Sequence, residues 1–387
     1  MRALFATTAN DGHFGPLSPF ARSCISAGHE VRVAAPASYA GALERAGFVH
    51  EAFADAPPEL IGPVMGSLPT LPFEEADDTV IREVFGRIDA QAGLPGVTET
   101  IERWRPDLVV RESAELASLA AAEAAGVPHA HVCIGMHEIV TRFAAAVREP
   151  LLELDRLAGL PEGTCSTAQA AETVLSTVPT ALDDAVGDAL EGVLRFRDEA
   201  PPTGDGPLPP DWGDPDLPLL YVTFGSVTGS LPPFAGVFGE ALDALAELPA
   251  RVLMTVGRRV DVAGLGPLPP NACVLPWWPQ PDALAHATAM LGHGGFGTTM
   301  GALAAGVPQV VMPIFTSDQL SNSLHVAAVG AGIAVPMGPG SAAAAADHVR
   351  RLLADPSYAA AAGVGAAEIA ALPPASEAVA VLERLVG

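Results

Sequence analysis

Two successive α/β domains, each a doubly wound parallel sheet, are predicted by three features of this 387-residue chain. Its length exceeds one typical domain and suits two. Short apolar runs alternate with Ala-rich helical stretches through both halves, as a parallel sheet with crossover helices requires. A dense Pro/Gly segment, residues 200–218, then divides that alternation in two. The expected boundaries are 1–200 for the first domain, 201–218 for a linker and 219–387 for the second domain. With 49% apolar and 17% charged residues, each half can bury a core, and neither has the composition of a disordered chain.

In chain order, residues 2–8 read as a buried strand, 16–27 as a helix closed by Gly28, and 31–35 as a second strand that stops before Pro36. The proline-rich stretch 56–73 lacks periodicity and reads as a long loop, a length usually tied to function. Beyond Arg105-Pro106, residues 107–110 predict a strand, 114–125 a helix ended by Gly126, and 128–134 another strand. After the linker come strand 219–224, helix 234–248, strands 251–256 and 272–275, helix 281–287, strand 289–292, helix 298–305, strand 309–312 and helix 319–329. The Ala-rich tail 341–386 reads as two or three helices covering the sheet. Doubly wound sheets bind ligands outside the carboxyl ends of their strands. Two such domains facing across a cleft therefore put the chemistry at strand-to-helix turns.

Charge excludes several classes of partner. Forty-five acidic against twenty basic residues give a formal charge of −25, which repels a phosphate backbone or an anionic bilayer, so no nucleic acid is expected. Cys24, Cys133, Cys165 and Cys273 stand far apart without C-x-x-C spacing, which suggests neither zinc nor a disulfide framework and fits a reducing cytoplasm. The N-terminal residues run straight into a strand pattern without the apolar region of a signal peptide, and no apolar stretch has the length of a membrane span. A cytoplasmic chain without membrane insertion is expected.

The first strand ends at Thr7-Thr8-Ala9-Asn10-Asp11-Gly12-His13-Phe14-Gly15-Pro16, which places His13 at the sheet's carboxyl edge. A lone histidine is more often structural. At a helix N-terminus, however, the macrodipole disfavours imidazolium and keeps the ring available as a base. Arg111-Glu112-Ser113-Ala114-Glu115 opens a later helix at the same edge. Glu112 and Glu115 are first-turn carboxylates on one reading; on the other, one of them accepts the imidazole Nδ1–H. In the second half, Trp277-Trp278-Pro279-Gln280 precedes His293-Gly294-Gly295-Phe296-Gly297-Thr298-Thr299-Met300-Gly301, and Phe315-Thr316-Ser317-Asp318-Gln319 follows the next strand. A glycine run with hydroxyl residues at a helix start suits a diphosphate. Asp214-Pro215-Asp216 falls in the linker and reads as solvated charge, so no metal site is expected.

This ensemble resembles the donor-site signature of the GT-B nucleotide-sugar glycosyltransferase superfamily, which includes plant and macrolide glucosyltransferases. It is similar in particular to the actinomycete enzymes that attach deoxysugars to polyketides and enediynes. The resemblance spans essentially the whole chain, because the Gly12-His13 turn, Pro106-Asp107-Leu108-Val109-Val110-Arg111-Glu112 and the final signature occur in family order. It implies an inverting, metal-independent hexosyl transfer with no cofactor beyond a nucleotide-diphosphate sugar as co-substrate. By this resemblance His13 and Glu112 form the catalytic pair. Trp277, with Trp278 beside it, stacks on the base, and Gln280 meets the nucleoside sugar. Ser226, His293, Gly295, Gly297 and Thr298 meet the diphosphate, while Asp318 and Gln319 accept from donor-sugar hydroxyls. On residue type alone Trp278 reads as core. A small lipophilic acceptor is assigned to Phe14, Met136, His137 and Phe143, near residues 56–80.

Two departures from the family pattern carry weight. Glu112 stands where aspartate is usual, with Glu115 as a reserve partner for His13. Gly301 stands where many UDP-sugar enzymes carry a glutamate for the ribose hydroxyls, which points to a dTDP-sugar donor. Rival readings are a UDP-glucose-type glucosyltransferase, an epimerase using the donor site alone, and a catalytically silent nucleotide-sugar-binding homologue that activates a partner. A homodimer or an auxiliary protein is a further expectation.

Overall fold

Seven parallel strands make the first sheet: β1 (Arg2–Ala6), β2 (Glu30–Pro36), β3 (His50–Phe53), β4 (Leu108–Glu112), β5 (His129–Val132), β6 (Thr173–Ser176) and β7 (Leu194–Arg195), in the order β3-β2-β1-β4-β5-β6-β7. Six more make the second: β8 (Leu219–Thr223), β9 (Arg251–Thr255), β10 (Ala272–Leu275), β11 (Ala289–Gly292), β12 (Gln309–Val311) and β13 (Gly332–Ala334), in the order β10-β9-β8-β11-β12-β13. Each is a Rossmann-like 3-2-1-4-5-6 arrangement, and the first adds one strand. The chain reverses direction across each sheet between β1 and β4 and between β8 and β11, the two places where such sheets hold ligands. The computed structural model describes residues 1–187, 190–210, 212–338 and 341–387; Asp211, within the expected linker, lies outside the described residues.

The central strands are apolar on both faces, as parallel strands covered by helices must be. Ala3, Leu4, Phe5 and Ala6 of β1 and Leu108, Val109 and Val110 of β4 are fully buried in one core. Leu220 and Val222 of β8 with Val252 and Met254 of β9 sit in another. The four strands missing from the sequence reading, β3, β6, β7 and β13, run two to four residues each, too short to show a period. All four cysteines are free. Among the described residues no helix is long and apolar enough to cross a membrane.

Three expectations are corrected. The first helix spans Asp11–Ser26, five residues earlier than its periodicity suggested, because the Asn10 side chain accepts from Gly12 N–H at 2.8 Å and caps it, while Pro16 and Pro19 are accommodated inside. His13 consequently sits within the first turn. The expected loop 56–73 is largely helical: Pro58–Ser67 starts on a proline, where the missing N–H has no helical partner to lose, and Phe73–Thr79 follows. The chain continues as a π-helical segment, Val80–Asp89, into the helix Ala90–Trp104.

The third concerns where the units divide. One compact unit takes residues 1–177, 190–199 and 373–387; the other takes 178–189 and 200–372. The tail forms three helices, Ser341–Ala354, Pro356–Ala371 and Ala375–Val386. The first of these packs into the second unit's core, but Ala375, Ala378, Val379 and Leu382 of the last are buried in the first unit's core. Residues 201–218 are no free tether either: Leu208 and Trp212 pack against the second unit, and the Arg251 guanidinium lies 5.1 Å from the Trp212 ring centroid.

Candidate active site

The turns after β1 and β4 bring His13 and Glu112 together. His13 Nδ1 lies 3.1 Å from Glu112 Oε1 and 3.0 Å from Thr8 Oγ1. Glu112, the last residue of β4, is fully buried, and its Oε1 also accepts from Thr8 N–H and the Thr8 hydroxyl, each at 3.2 Å, while Oε2 accepts from Ala114 N–H. Burial alone would raise its pKa, but the facing imidazole and these N–H donors hold the carboxyl below its ordinary range. An ionised carboxylate can only accept, so Nδ1 carries the proton and Nε2 presents a lone pair. Phe85 sets its ring 5.3 Å from the imidazole, tilted by 42°.

Glu115 turns elsewhere. Its carboxylate accepts from Ser118 N–H at 3.1 Å and from the Ser118 hydroxyl, at the start of the helix Ala117–Ala125. Burial pushes its pKa up to about 7. It faces the helix start while Glu112 faces the imidazole.

Two of the four acceptor assignments are corrected. Phe14 is 6% exposed and packs edge-on against Tyr39 and Phe48, and Met136 is fully buried. Both are buried away from solvent, Phe14 within the first unit's core cluster. Phe143 is 9% exposed and stacks on Phe85 with ring centroids 6.0 Å apart, which links it to the ring beside His13. His137 is partly buried at the start of the helix His137–Ala146, 3.4 Å from Glu138.

In the second unit the turn after β11 carries His293-Gly294-Gly295 into the helix Phe296–Ala304. Gly294 adopts φ +87°, and a Cβ there would meet Gln319 O at 2.6 Å and Val311 Cγ1 at 2.9 Å. Only glycine fits. Its carbonyl accepts from the buried Asn322 side chain at 2.7 Å. Gly225 and Gly295 both lie against the His293 ring, which a Cβ at either would strike. Burial pushes the His293 pKa down to about 4, partly offset by the Thr223 backbone, so the ring is neutral near pH 7. Gly297 and Thr298 fall in the first turn of the helix, and Ser226 is exposed in the turn after β8.

Trp277 is 52% exposed, with the Arg258 guanidinium 4.5 Å from its ring centroid. Trp278 instead packs against the cluster of Leu219, Tyr221 and Leu284, as its residue type suggested, and does not share the exposure of its neighbour. Gln280 begins the helix Gln280–His286, and its side-chain amide occupies the place that a Cβ on Gly301 would need. Asp318 lies in the first turn of the helix Ser317–Ala328. The reading of Gln319 as an acceptor is corrected: its Oε1 already accepts from Ile314 N–H at 2.8 Å and Phe315 N–H at 3.1 Å, which leaves its amide NH₂ as the end that can meet a hydroxyl.

Sequence reasoning missed Thr8, Phe85 and Asn322. Thr8 had a signal, a hydroxyl residue at the strand end five positions before His13. Phe85 and Asn322 had none, because a π-helical placement and a loop-bracing amide follow no period.

Doubly wound sheets in tandem, with site residues at both reversal points, are the architecture of GT-B glycosyltransferases, and this chain is a glycosyltransferase of that class. More narrowly, it belongs to the erythromycin biosynthesis protein CIII-like family, whose N-terminal domain matches residues 23–185 and whose C-terminal domain matches residues 239–385. The L-demethylnoviosyl transferase of Streptomyces niveus is 32% identical over 343 residues, covering 87% of this chain and 85% of that protein. Among solved structures, the glycosyltransferase SnogD from Streptomyces nogalater superposes with a TM-score of 0.78 at 27% identity, covering 100% of this chain and 99% of that one. The glycosyltransferase VinC in complex with dTDP gives 0.77 at 25% identity, covering 100% of this chain and 99% of that one.

Proposed function

We propose that this enzyme transfers a deoxysugar from a dTDP donor to a hydroxyl of a small lipophilic acceptor, with inversion and without a metal ion. The observation that carries the reading is the His13 imidazole fixed by Glu112 in the first turn of a helix. Nε2 of His13 takes the acceptor proton as the acceptor oxygen forms its bond to C1 of the donor. The bond from C1 to the diphosphate breaks, and its electron pair leaves on the diphosphate. Glu112 stabilises the resulting imidazolium, and the fixed ring orientation supplies a large part of the rate. At the leaving group, the backbone N–H groups around Gly295 and Gly297, the Thr298 hydroxyl and neutral His293 meet the charge that develops.

Trp277 offers an exposed ring for the nucleobase. The preference for dTDP over UDP rests on Gly301. A glutamate there would serve two vicinal ribose hydroxyls; deoxyribose lacks one, and a desolvated carboxylate short of a partner is unfavourable, since hydrogen bonds to charged groups are worth roughly 1.5–3 kcal/mol. With glycine, the Gln280 amide fills that space instead. The complex of VinC with dTDP supports the same donor class.

His13→Ala is expected to fold and to bind dTDP but to lose about 10²- to 10⁴-fold in turnover, the range for a general base. Glu112→Gln should lose as much or less, and exhaustive chelation with EDTA should change nothing. Donor consumption with a panel of lipophilic acceptors reads all three. Near-wild-type turnover by His13→Ala would remove the base, and loss restored by magnesium would refute the metal-free reaction. For the donor, calorimetry of dTDP and UDP against wild type and Gly301→Glu should show dTDP favoured by the wild type and a move toward UDP in the variant. A wild type that binds UDP tighter would overturn the dTDP assignment.

A further inference from the structure

Asp89 ends the π-helical segment Val80–Asp89, a form of backbone that is rare and frequent at functional sites. That segment already touches the base, since Phe85, one turn earlier, lies against the His13 ring. Asp89 itself lines a cavity of about 10 Å³ together with Thr8, Ala114 and Glu115. The space suits a single water. Thr8 is the residue whose hydroxyl joins His13 Nδ1 to Glu112 Oε1.

Asp89 differs in one respect from Glu115, which lines the same cavity, and from Glu112 and Asp55, which act on it electrostatically. Glu112 accepts from His13, Thr8 and Ala114, Glu115 from Ser118, and Asp55 from the Ser38 N–H and hydroxyl. Asp89 receives no hydrogen bond from a described residue and interacts with His13, Glu112 and Asp55 through space. The nearby cations are engaged elsewhere. Arg87 pairs with Glu83 and Glu153, Arg82 with Glu83, Arg142 with Asp78, and Arg103 with Glu51. Among the described residues that act on Asp89, His13 alone can be positive.

We propose that Asp89 is a positioning residue for the base, a second carboxylate that faces the His13–Glu112 pair across the Thr8 cavity and stabilises the imidazolium formed when His13 takes the acceptor proton. This rests on the reading of His13 as the base. A nearby negative charge favours the protonated ring. Burial pushes Asp89 up to about 6, with His13 opposing that rise and Glu112 and Asp55 adding to it, so its charge is in place at neutral pH. Removing the charge leaves His13 easier to deprotonate.

The test is a ¹H–¹³C NMR titration of the histidine side chains in the full chain between about pH 5 and 9, bracketing the ordinary histidine range, with the His13 signal assigned by its loss in His13→Gln. In Asp89→Asn the His13 midpoint should fall by about half a unit or more, and Asp89→Glu should restore it. The acid limb of kcat/KM should move to lower pH by the same amount, whereas a merely structural defect lowers turnover without moving the limb. A His13 midpoint unchanged in Asp89→Asn overturns the proposal. If that variant does not fold, the wild type decides: the His13 signal should show a second inflection near 6, and a single-site curve overturns the coupling. Undiminished turnover in His13→Ala would instead remove the base while leaving the titration readable, so the two failures are distinct.

Discussion

Glu112 and Glu115 stand three residues apart, both buried, yet their surroundings push their carboxyls in opposite directions. Glu112 is held low by an imidazole and three N–H or O–H donors, whereas Glu115, with Ser118 as its donor, is pushed up to about 7 by burial. That contrast has a pH signature. Glu115 has a folded pKa above its ordinary value of 4.5, so its contribution to stability is complete below about 4.5 and is lost as the pH rises through about 7. Glu112, depressed, behaves oppositely: its contribution is present above its ordinary range and disappears as the pH falls. We therefore expect Glu115→Gln to flatten the decline in stability between pH 5 and 8 and to gain on the wild type at pH 8, by an amount of up to about 3 kcal/mol. Urea midpoints at the two pH values measure this, and an unchanged pH slope would show that Glu115 ionises freely in the fold. From residue type and spacing alone the two glutamates were indistinguishable as partners of His13, and only the family resemblance favoured Glu112. Spacing locates both at the end of β4, but which carboxylate reaches the imidazole depends on where Thr8 N–H and Ser118 N–H lie, and that is tertiary information.

At the scale of an element, the turn from β11 into the helix Phe296–Ala304 shows why a glycine run was legible as a helix start while its individual glycines were not. The pattern located a helix N-terminus with converging N–H groups. It did not distinguish Gly294, locked at φ +87° against Gln319 and Val311, from Gly297, whose Cβ position is open space. Gly294→Ala should accordingly lower stability by about 1–3 kcal/mol and weaken dTDP binding at least tenfold, because the backbone must leave the left-handed region or displace Gln319, whose side chain braces the loop at Ile314 and Phe315. Gly297→Ala should keep wild-type stability. Thermal melts and dTDP calorimetry on both variants check this, and equal stability for the two would mean that the turn relaxes freely. The same limit explains the first helix: Pro16 and Pro19 obscured a start that Asn10 had already marked by its cap. It also explains residues 56–73, where prolines read as a loop occupy places a helix tolerates, Pro58 at the first position above all.

Over the whole molecule, the alternation of strands and helices was legible to within a few residues for the central strands, but the division of the chain between units was not. The last helix, Ala375–Val386, buries Ala375, Ala378, Val379 and Leu382, an i, i+3, i+4, i+7 stripe that any reader of periodicity would mark as a packed face. Such a stripe says that the helix has a partner and is silent about which sheet supplies it. The neighbouring sequence suggests the second unit; the structure gives the helix to the first, beside Leu17, Phe20 and Ala21 of the helix Asp11–Ser26. The return of the chain has a measurable consequence, because the helix that carries His13 is packed by the C-terminal residues of a chain whose preceding helices belong to the second unit. Leu382 is fully buried, so Leu382→Ala should lower stability by about 2–5 kcal/mol, the range for truncating a leucine in a tight core. Under conditions where the variant remains folded, its dTDP affinity should stay within about twofold of wild type, since none of the residues assigned to the donor belongs to the first unit, and twofold is only about 0.4 kcal/mol. Turnover should fall more than affinity does, because loosening of the first helix reaches His13 and its contact with Glu112. Denaturation and calorimetry on the same preparation decide the matter: a dTDP affinity that falls in step with stability would mean that the last helix supports the donor site, as its place in the chain had suggested.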